Sequence, residues 1–335
     1  MRYLLVILSL WVFGLVSAAQ EGTATPSPAP SKTATVEKVS VTATATEAKA
    51  TPKAPSGEVT LPFIQEDFRI LVGNVQRPNG LVEINGFLFA VCNGDWTTYQ
   101  VDSVTGDTVS FVNGVRNAHT LFAENTSAGF NIWIPDFDTN RLLMIDQSRN
   151  SPRQIVNLLE GPWGIDAYDE DSFVVSNLKA NNVVRITREG VVDILVDGLR
   201  APAGVAVDTE NVYVANTGSA RRAIEWFKKP EKLEGDAEYE TPELKPLVSG
   251  VQSVSSLFLH SDGFLYFSYA LGSKGAVGRV SPEACLEEGC TGDQVEIVAL
   301  TDLSAPLAGL TISPDNRLFI HTIYLPEIYW VQLSQ

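Results

Sequence analysis

The chain of 335 residues holds only three histidines, His119, His260 and His321, so their placement is informative. His119 opens the apolar run "AHTLFAE", and His321 closes the run "RLFIH". Each therefore stands at the end of a strand-like segment. An imidazole titrates near neutral pH and is the commonest general base. His119 as base, with His321 or Asp136 as its partner, is the catalytic set that the residue types offer. The competing and preferred reading is that both rings hydrogen-bond neighbouring backbone groups. His260, in "LHSDGF", falls in a hairpin turn and is expected in solvent.

Other chemistries are excluded by what is absent. The sequence has no phosphate-cradling glycine loop, no Gly-x-Ser-x-Gly elbow, no Cys/His zinc spacing and no long basic tract. "DFDTN", from Asp136 to Asn140, begins like a calcium loop. However, Arg141 stands where such a loop needs glycine, and Gln147 where it needs glutamate. Cys285 and Cys290 flank a short loop in "EACLEEGCTGD" and are expected to form a disulfide in an oxidising compartment. Cys92, inside "FLFAVC", is expected to be a buried free thiol.

The elements that must position these residues form a repeat. Six segments share an opening: "PNGLVEI" at Pro78, "AHTLFAE" at Ala118, "PWGIDAY" at Pro162, "PAGVAVD" at Pro202, "VSSLFLH" at Val254 and "LAGLTIS" at Leu307. Their first apolar residues, Leu81, Leu121, Ile165, Val205, Leu257 and Leu310, are spaced by 40, 44, 40, 52 and 53 residues. A period of about 40 to 50 residues in a strand-rich chain is that of a β-propeller with one four-stranded blade per repeat. The chain ends on "EIYWVQLSQ", a third strand with no fourth behind it, while "FRILVGNV" has the outer-strand form and precedes the first repeat. The fold class is therefore all-β: a six-bladed β-propeller whose last blade is closed by an N-terminal strand at about residues 68–75. Closing the ring in this way removes open sheet edges.

Polar positions near a propeller axis come from two places in each blade. The residue before the Gly-apolar opening reads Asn79, His119, Trp163, Ala203, Ser255 and Ala308. The residue ending the second strand reads Cys92 (or Asn93), Asp136, Asn177, Asn216, Ser268 and His321. The candidate ligand-binding residues drawn from these sets are Asn79, His119, Trp163, Asp136, Asn177, Asn216 and His321.

The ends differ from the repeat. Residues 1–18 carry Arg2, an apolar run and small residues before Ala19, as a secretory signal peptide does. The run is too short to span a membrane, so no stable span is expected after cleavage. Residues 19–57 are Thr-, Ala- and Pro-rich without aromatic residues, Leu or Ile, and read as a disordered stalk. Residues 58–335 form the propeller. A net charge of −16 argues against nucleic acid and anionic membranes as partners. The expectation is a secreted or extracytoplasmic monomer, in the periplasm or at the cell surface.

The Pro-x-Gly-apolar opening, the second strands "VYVAN" and "IWIPD" and the Asn-x-x-Arg form of "DFDTNRLLMID" resemble NHL-type repeats. Across about residues 60–335 the six-unit arrangement resembles the superfamily of gluconolactonase-like hydrolases, virginiamycin B lyase and strictosidine-synthase-like proteins. The gluconolactonase resemblance implies a divalent cation held by one Glu, Asn residues and an Asp. Asn79 matches that site, whereas Trp163, Ala203 and Ala308 cannot ligate. The lyase resemblance implies paired His residues with a Glu near a metal. Two functions follow. The first is an exported module that binds a small molecule or a protein at one propeller face, with no cofactor assigned. The alternative is a hydrolase or lyase with its site around Asn79, His119, Asp136, Asn177, Asn216 and His321, a reading that admits Ca²⁺ or another divalent cation as cofactor.

Overall fold

The computed structural model describes residues 62–230 and 241–333. The segments read from the sequence as a signal peptide, 1–18, and a stalk, 19–57, lie outside these residues. Six sheets follow one another along the chain. Their inner strands are Pro78–Ile84, Phe122–Thr126, Pro162–Asp169, Pro202–Val207, Gln252–Leu259 and Gly309–Ile312, which we number as blades 1 to 6. Blade 3 shows the unit: Pro162–Asp169, Ser172–Asn177, Asn182–Thr187 and Val192–Val196 pair antiparallel in sequence order. The end of the axis where inner strands begin is called the upper end.

Blade 6 is completed from the other terminus. Its chain-terminal strand Ile328–Gln332 pairs antiparallel with Arg69–Val72, Arg69 opposite Trp330 and Ile70 opposite Tyr329. The closing strand is shorter than the expected 68–75. Blade 2 departs from the repeat: its inner strand starts at Phe122, four residues after Ala118.

The apolar residue of each repeat packs against the preceding blade. Leu81 joins Phe319 and Ile328 of blade 6, and Leu121 joins Phe89 and Phe111 of blade 1. Ile165 lies with Trp133 and Leu142 of blade 2, and Val205 with Val174 and Val183 of blade 3. Leu257 meets Tyr213 and Ile224 of blade 4; Leu310 meets Tyr266 and Val277 of blade 5. The core is thus a set of interfaces between sheets, one per pair of neighbours. Burying such a side chain is worth about 1.5–3 kcal/mol, a gain that no isolated blade would realise.

The glycine of the repeat has a steric cause. A Cβ on Gly164 would lie 2.4 Å from the Ala203 carbonyl oxygen, and one on Gly204 2.5 Å from the Leu257 nitrogen. Adjacent inner strands approach that closely near the axis. Blade 2 carries Thr120 at this position, and its hydroxyl fills the gap productively. Thr120 Oγ1 donates to the Trp163 carbonyl at 2.9 Å and accepts the Ile165 N–H at 3.1 Å.

Two short strands were not anticipated. Phe63–Ile64 adds parallel to Glu296–Ser304, the outer strand of blade 5. Cys290–Thr291, from the loop joined by the Cys285–Cys290 disulfide, adds parallel to Lys245–Ser249 of blade 4. A loop belonging to blade 5 therefore extends the sheet of blade 4. Cys92 is a buried free thiol, pushed up to about 12 by burial.

Candidate functional site

The residues that close the second strands act as stitches. Asp136 accepts backbone N–H groups from Arg116 at 3.1 Å and Asn117 at 3.3 Å. Asn177 accepts the Glu160 N–H at 3.2 Å, and Asn216 the Arg200 N–H at 2.8 Å. Each ties a strand end to the loop that leads into its own blade. Their amides are used as well: Asn177 donates to Asn182, and Asn216 to the Arg222 carbonyl and Glu225. The recurrence of Asn or Asp in "VVSN", "YVAN" and "IPD" has this structural role.

Asn79, His119, Trp163 and His321 do come together, at the upper end of the axis. The indole of Trp163 reaches from blade 3 to blade 5, where Nε1 donates to the Ser255 carbonyl at 3.1 Å. The His119 ring stacks on it with centroids 3.3 Å apart and planes 2° from parallel. Phe137 presents an edge to both, 5.3 Å from His119 and 5.8 Å from Trp163. His321 is wholly buried in the second strand of blade 6, paired with Gly309. A Cβ on Gly309 would lie 3.1 Å from His321 Nε2 and 3.5 Å from the His119 carbonyl, so the two histidines share one corner.

That corner contains polar atoms without partners among the described residues: Asn79 Oδ1 and both ring nitrogens of His321. Backbone groups of Thr322 and Pro78 lie near enough to His321 to favour its charged form, without forming a hydrogen bond of good geometry. Burial outweighs them and pulls the ring down to about 4. His119 is pulled down to about 3, by burial first and by the nearby His321 second. Both rings are neutral at pH 7. The Asn79 amide donates to Asn117 Oδ1, and the Asn117 amide to Asp138 Oδ1 at 3.2 Å.

Below the stack lies an axial cavity of about 290 Å³ lined by all six inner strands. Its carboxyl groups are Glu83 and Asp166. Asp166 accepts the N–H groups of Ala167 at 2.8 Å and Val207 at 2.9 Å. Burial nevertheless pushes it up to about 6, and Glu83 is also raised by burial. Asp166, Thr120, Asn117 and Phe137 are parts of this region that the repeat did not single out. The signal for Asp166 was an acid between apolar residues of an inner strand, in "GIDAY".

His260 is not in solvent. Its side chain is 9 % exposed, contacts Asp262 at 3.2 Å and meets the Tyr266 ring edge-on. It is distant in the chain from the axial corner and belongs to the lower end of blade 5.

The axial residues do not suit the divalent ion implied by the gluconolactonase resemblance. Such an ion needs several oxygen ligands. The six positions supply one Asn, one Ser, one His, one Trp and two Ala, and the nearby Asp136 carboxylate is turned onto backbone N–H groups. Among the described residues no three His, Cys, Asp or Glu side chains come together as a metal site.

No protein-family model matches the chain, and no curated protein matches it by sequence. Solved structures match it by shape. A gluconolactonase from Xanthomonas campestris superposes with a TM-score of 0.61 at 14% identity, over 80% of this chain and 89% of that one. Virginiamycin B lyase from Staphylococcus aureus gives 0.55 at 11%, over 80% and 99%. A PQQ-bound aldose sugar dehydrogenase from Streptomyces coelicolor gives 0.55 at 14%, over 78% and 96%. At these identities the likeness establishes architecture. The chain has the six-bladed β-propeller fold shared by gluconolactonase-like proteins.

Proposed function

We propose that the protein is an exported binding module whose recognition surface is the upper end of the propeller. The observation that carries this reading is the His119–Trp163 stack. Where an enzyme of this architecture would place a metal or a basic group, this chain places two neutral imidazoles, one of them sandwiched against an indole. A group whose conjugate acid titrates near 3 or 4 is a poor proton acceptor at pH 7. Asp136, the remaining acid–base candidate of the sequence reading, accepts two backbone N–H groups. The Cys285–Cys290 disulfide supports an oxidising compartment. Among the described residues no helix is long and apolar enough to cross a membrane.

One observation favours a second reading. His321 is buried with both nitrogens unpartnered, as a residue awaiting a substrate group would be. In that case the chain would be a hydrolase or lyase, with His321 touching the substrate. The experiment is a screen of lactones and esters with the full chain, with and without chelator, alongside His119→Ala and His321→Ala. The binding-module reading expects no turnover and a melting curve that chelation leaves in place. Turnover abolished by His321→Ala would overturn it.

A further inference from the structure

The upper face of blades 1 to 3 carries a strip of aromatic rings with cations laid on them. The Arg116 guanidinium sits over the Trp96 ring, 5.1 Å from its centroid. Lys179 Nζ sits 4.5 Å over Phe137, which in turn touches His119 and Trp163. The strip is continuous through the backbone. The Gly114 N–H bonds the Trp96 carbonyl, Phe137 N–H bonds the Asn117 carbonyl, and Lys179 N–H bonds the Glu160 carbonyl beside Gly161. Trp96 is 52 % exposed.

Neither cation takes part in an ion pair among the described residues, although the chain carries a net −16, and the same holds for Arg69 and Arg149, which lie over Trp330 and Phe111. Arg185, Arg188, Arg222, Arg279 and Arg317 each lie against a carboxylate. Of the acids on this face, Asp95 accepts the Tyr99 hydroxyl at 2.5 Å, Asp138 accepts the Asn117 amide and Asp136 accepts backbone N–H groups, while the Glu160 side chain is exposed. A cation over an aromatic face stays attractive to an anion arriving from solvent, and exposed Trp and Arg are the residues that dominate protein interfaces.

We propose that this strip docks an acidic segment of a partner protein, with carboxylates on Arg116 and Lys179 and an apolar side chain against Trp96 or Trp163. The proposal rests on the upper end being the recognition surface. Charge complementarity selects the occupant. A nucleic acid would meet the repulsion of the whole acidic chain, and two cations attract an anionic membrane only weakly. A carboxylate-bearing peptide presents few charges and an apolar anchor together.

The test uses the full chain and a short fluorescein-labelled peptide of alternating Glu and Phe, followed by anisotropy at low and physiological salt. The same peptide with Lys for Glu is the control. We expect the Glu peptide alone to bind, more weakly as salt rises. The Arg116→Gln/Lys179→Gln variant should lose about tenfold or more in affinity, as should Trp96→Ala, while Arg153→Gln on an outer strand should not. Unchanged melting curves would show that these exposed substitutions leave the fold intact. Equal binding by the double variant, or binding of the Lys peptide, would overturn the proposal. So would concentration-dependent self-association that the double variant abolishes, since a second copy would then be the occupant. Absence of peptide binding without any lactone or ester turnover would sink this inference and leave the binding-module reading in place. Turnover dependent on His321 would do the reverse.

Discussion

His119 and Trp163 come from different blades and lie flat on one another, 3.3 Å between ring centroids. Blade 2 positions one ring before its inner strand begins, and blade 3 positions the other in its first turn of strand. The contact therefore reports on how two neighbouring blades are set. Replacing His119 by Ala should cost about 1–3 kcal/mol, the sum of lost packing and lost ring contact. His119→Phe should recover most of it. Thermal melts and indole fluorescence of Trp163 would check this; equal melting of the Ala and Phe variants would show that the stack contributes nothing.

Stability should fall in acid before the carboxylates dominate. His119 and His321 are held neutral, at about 3 and about 4, against a usual value near 6.5. The unfolded chain binds protons that the folded chain refuses, so their contribution is complete above pH 6.5 and is lost as pH falls through about 4 for His321 and about 3 for His119. Asp166 acts in the opposite sense. Raised to about 6, it favours the fold most below pH 4 and loses that contribution as pH rises through 6. Denaturant midpoints between pH 4 and 7 should therefore rise with pH in the native chain. They should rise less in His321→Phe and more in Asp166→Asn.

The repeat glycines should be intolerant of even one carbon. Gly164→Ala and Gly204→Ala place a Cβ against backbone atoms that cannot move aside and should each cost about 1–3 kcal/mol. Thr120→Gly creates no clash but loses two hydrogen bonds of about 1 kcal/mol each. If Gly204→Ala melts like the native chain, the inner strands are further apart than described.

Opening the Cys285–Cys290 bond should cost about 2 kcal/mol, the loop-closure value for a sequence separation of 5. The effect should reach beyond its own blade. Hydrogen exchange at Val248 and Ser249 should quicken, because Cys290 and Thr291 pair there. Protection unchanged in Cys285→Ser/Cys290→Ser would show that this pairing does not depend on the bond.

Deleting the chain through Val72 should leave Ile328–Gln332 as an open edge. The product should aggregate or fail to fold, read by size exclusion and circular dichroism. A monomeric product with native melting would contradict the closure.

The architecture was legible because one residue type recurs for one reason: Leu81, Ile165 and Val205 each pack against the preceding blade, and that need repeats with the blade. Ile70 opposite Tyr329 followed from counting outer strands. The axial corner was only half legible. His119, Trp163, Asn79 and His321 sit at repeat positions and were found that way. Asp136, Asn177 and Asn216 looked like binding residues because a periodic polar residue has the same signature whether it faces a ligand or holds a loop; only hydrogen-bond partners separate the two. Asn117 and Phe137 lie in loops, which the repeat does not constrain. Phe63–Ile64 and Cys290–Thr291 are too short for any hydrophobic period to reveal.

The parallel pairing of Phe63–Ile64 with blade 5 comes before Arg69–Val72 along the chain. Tension applied from the amino-terminal side would load that small splice first, and the strand that completes the ring would feel it only after the splice had given way. The propeller thus carries a strain relief ahead of its own clasp, as a cable is clamped before its connector.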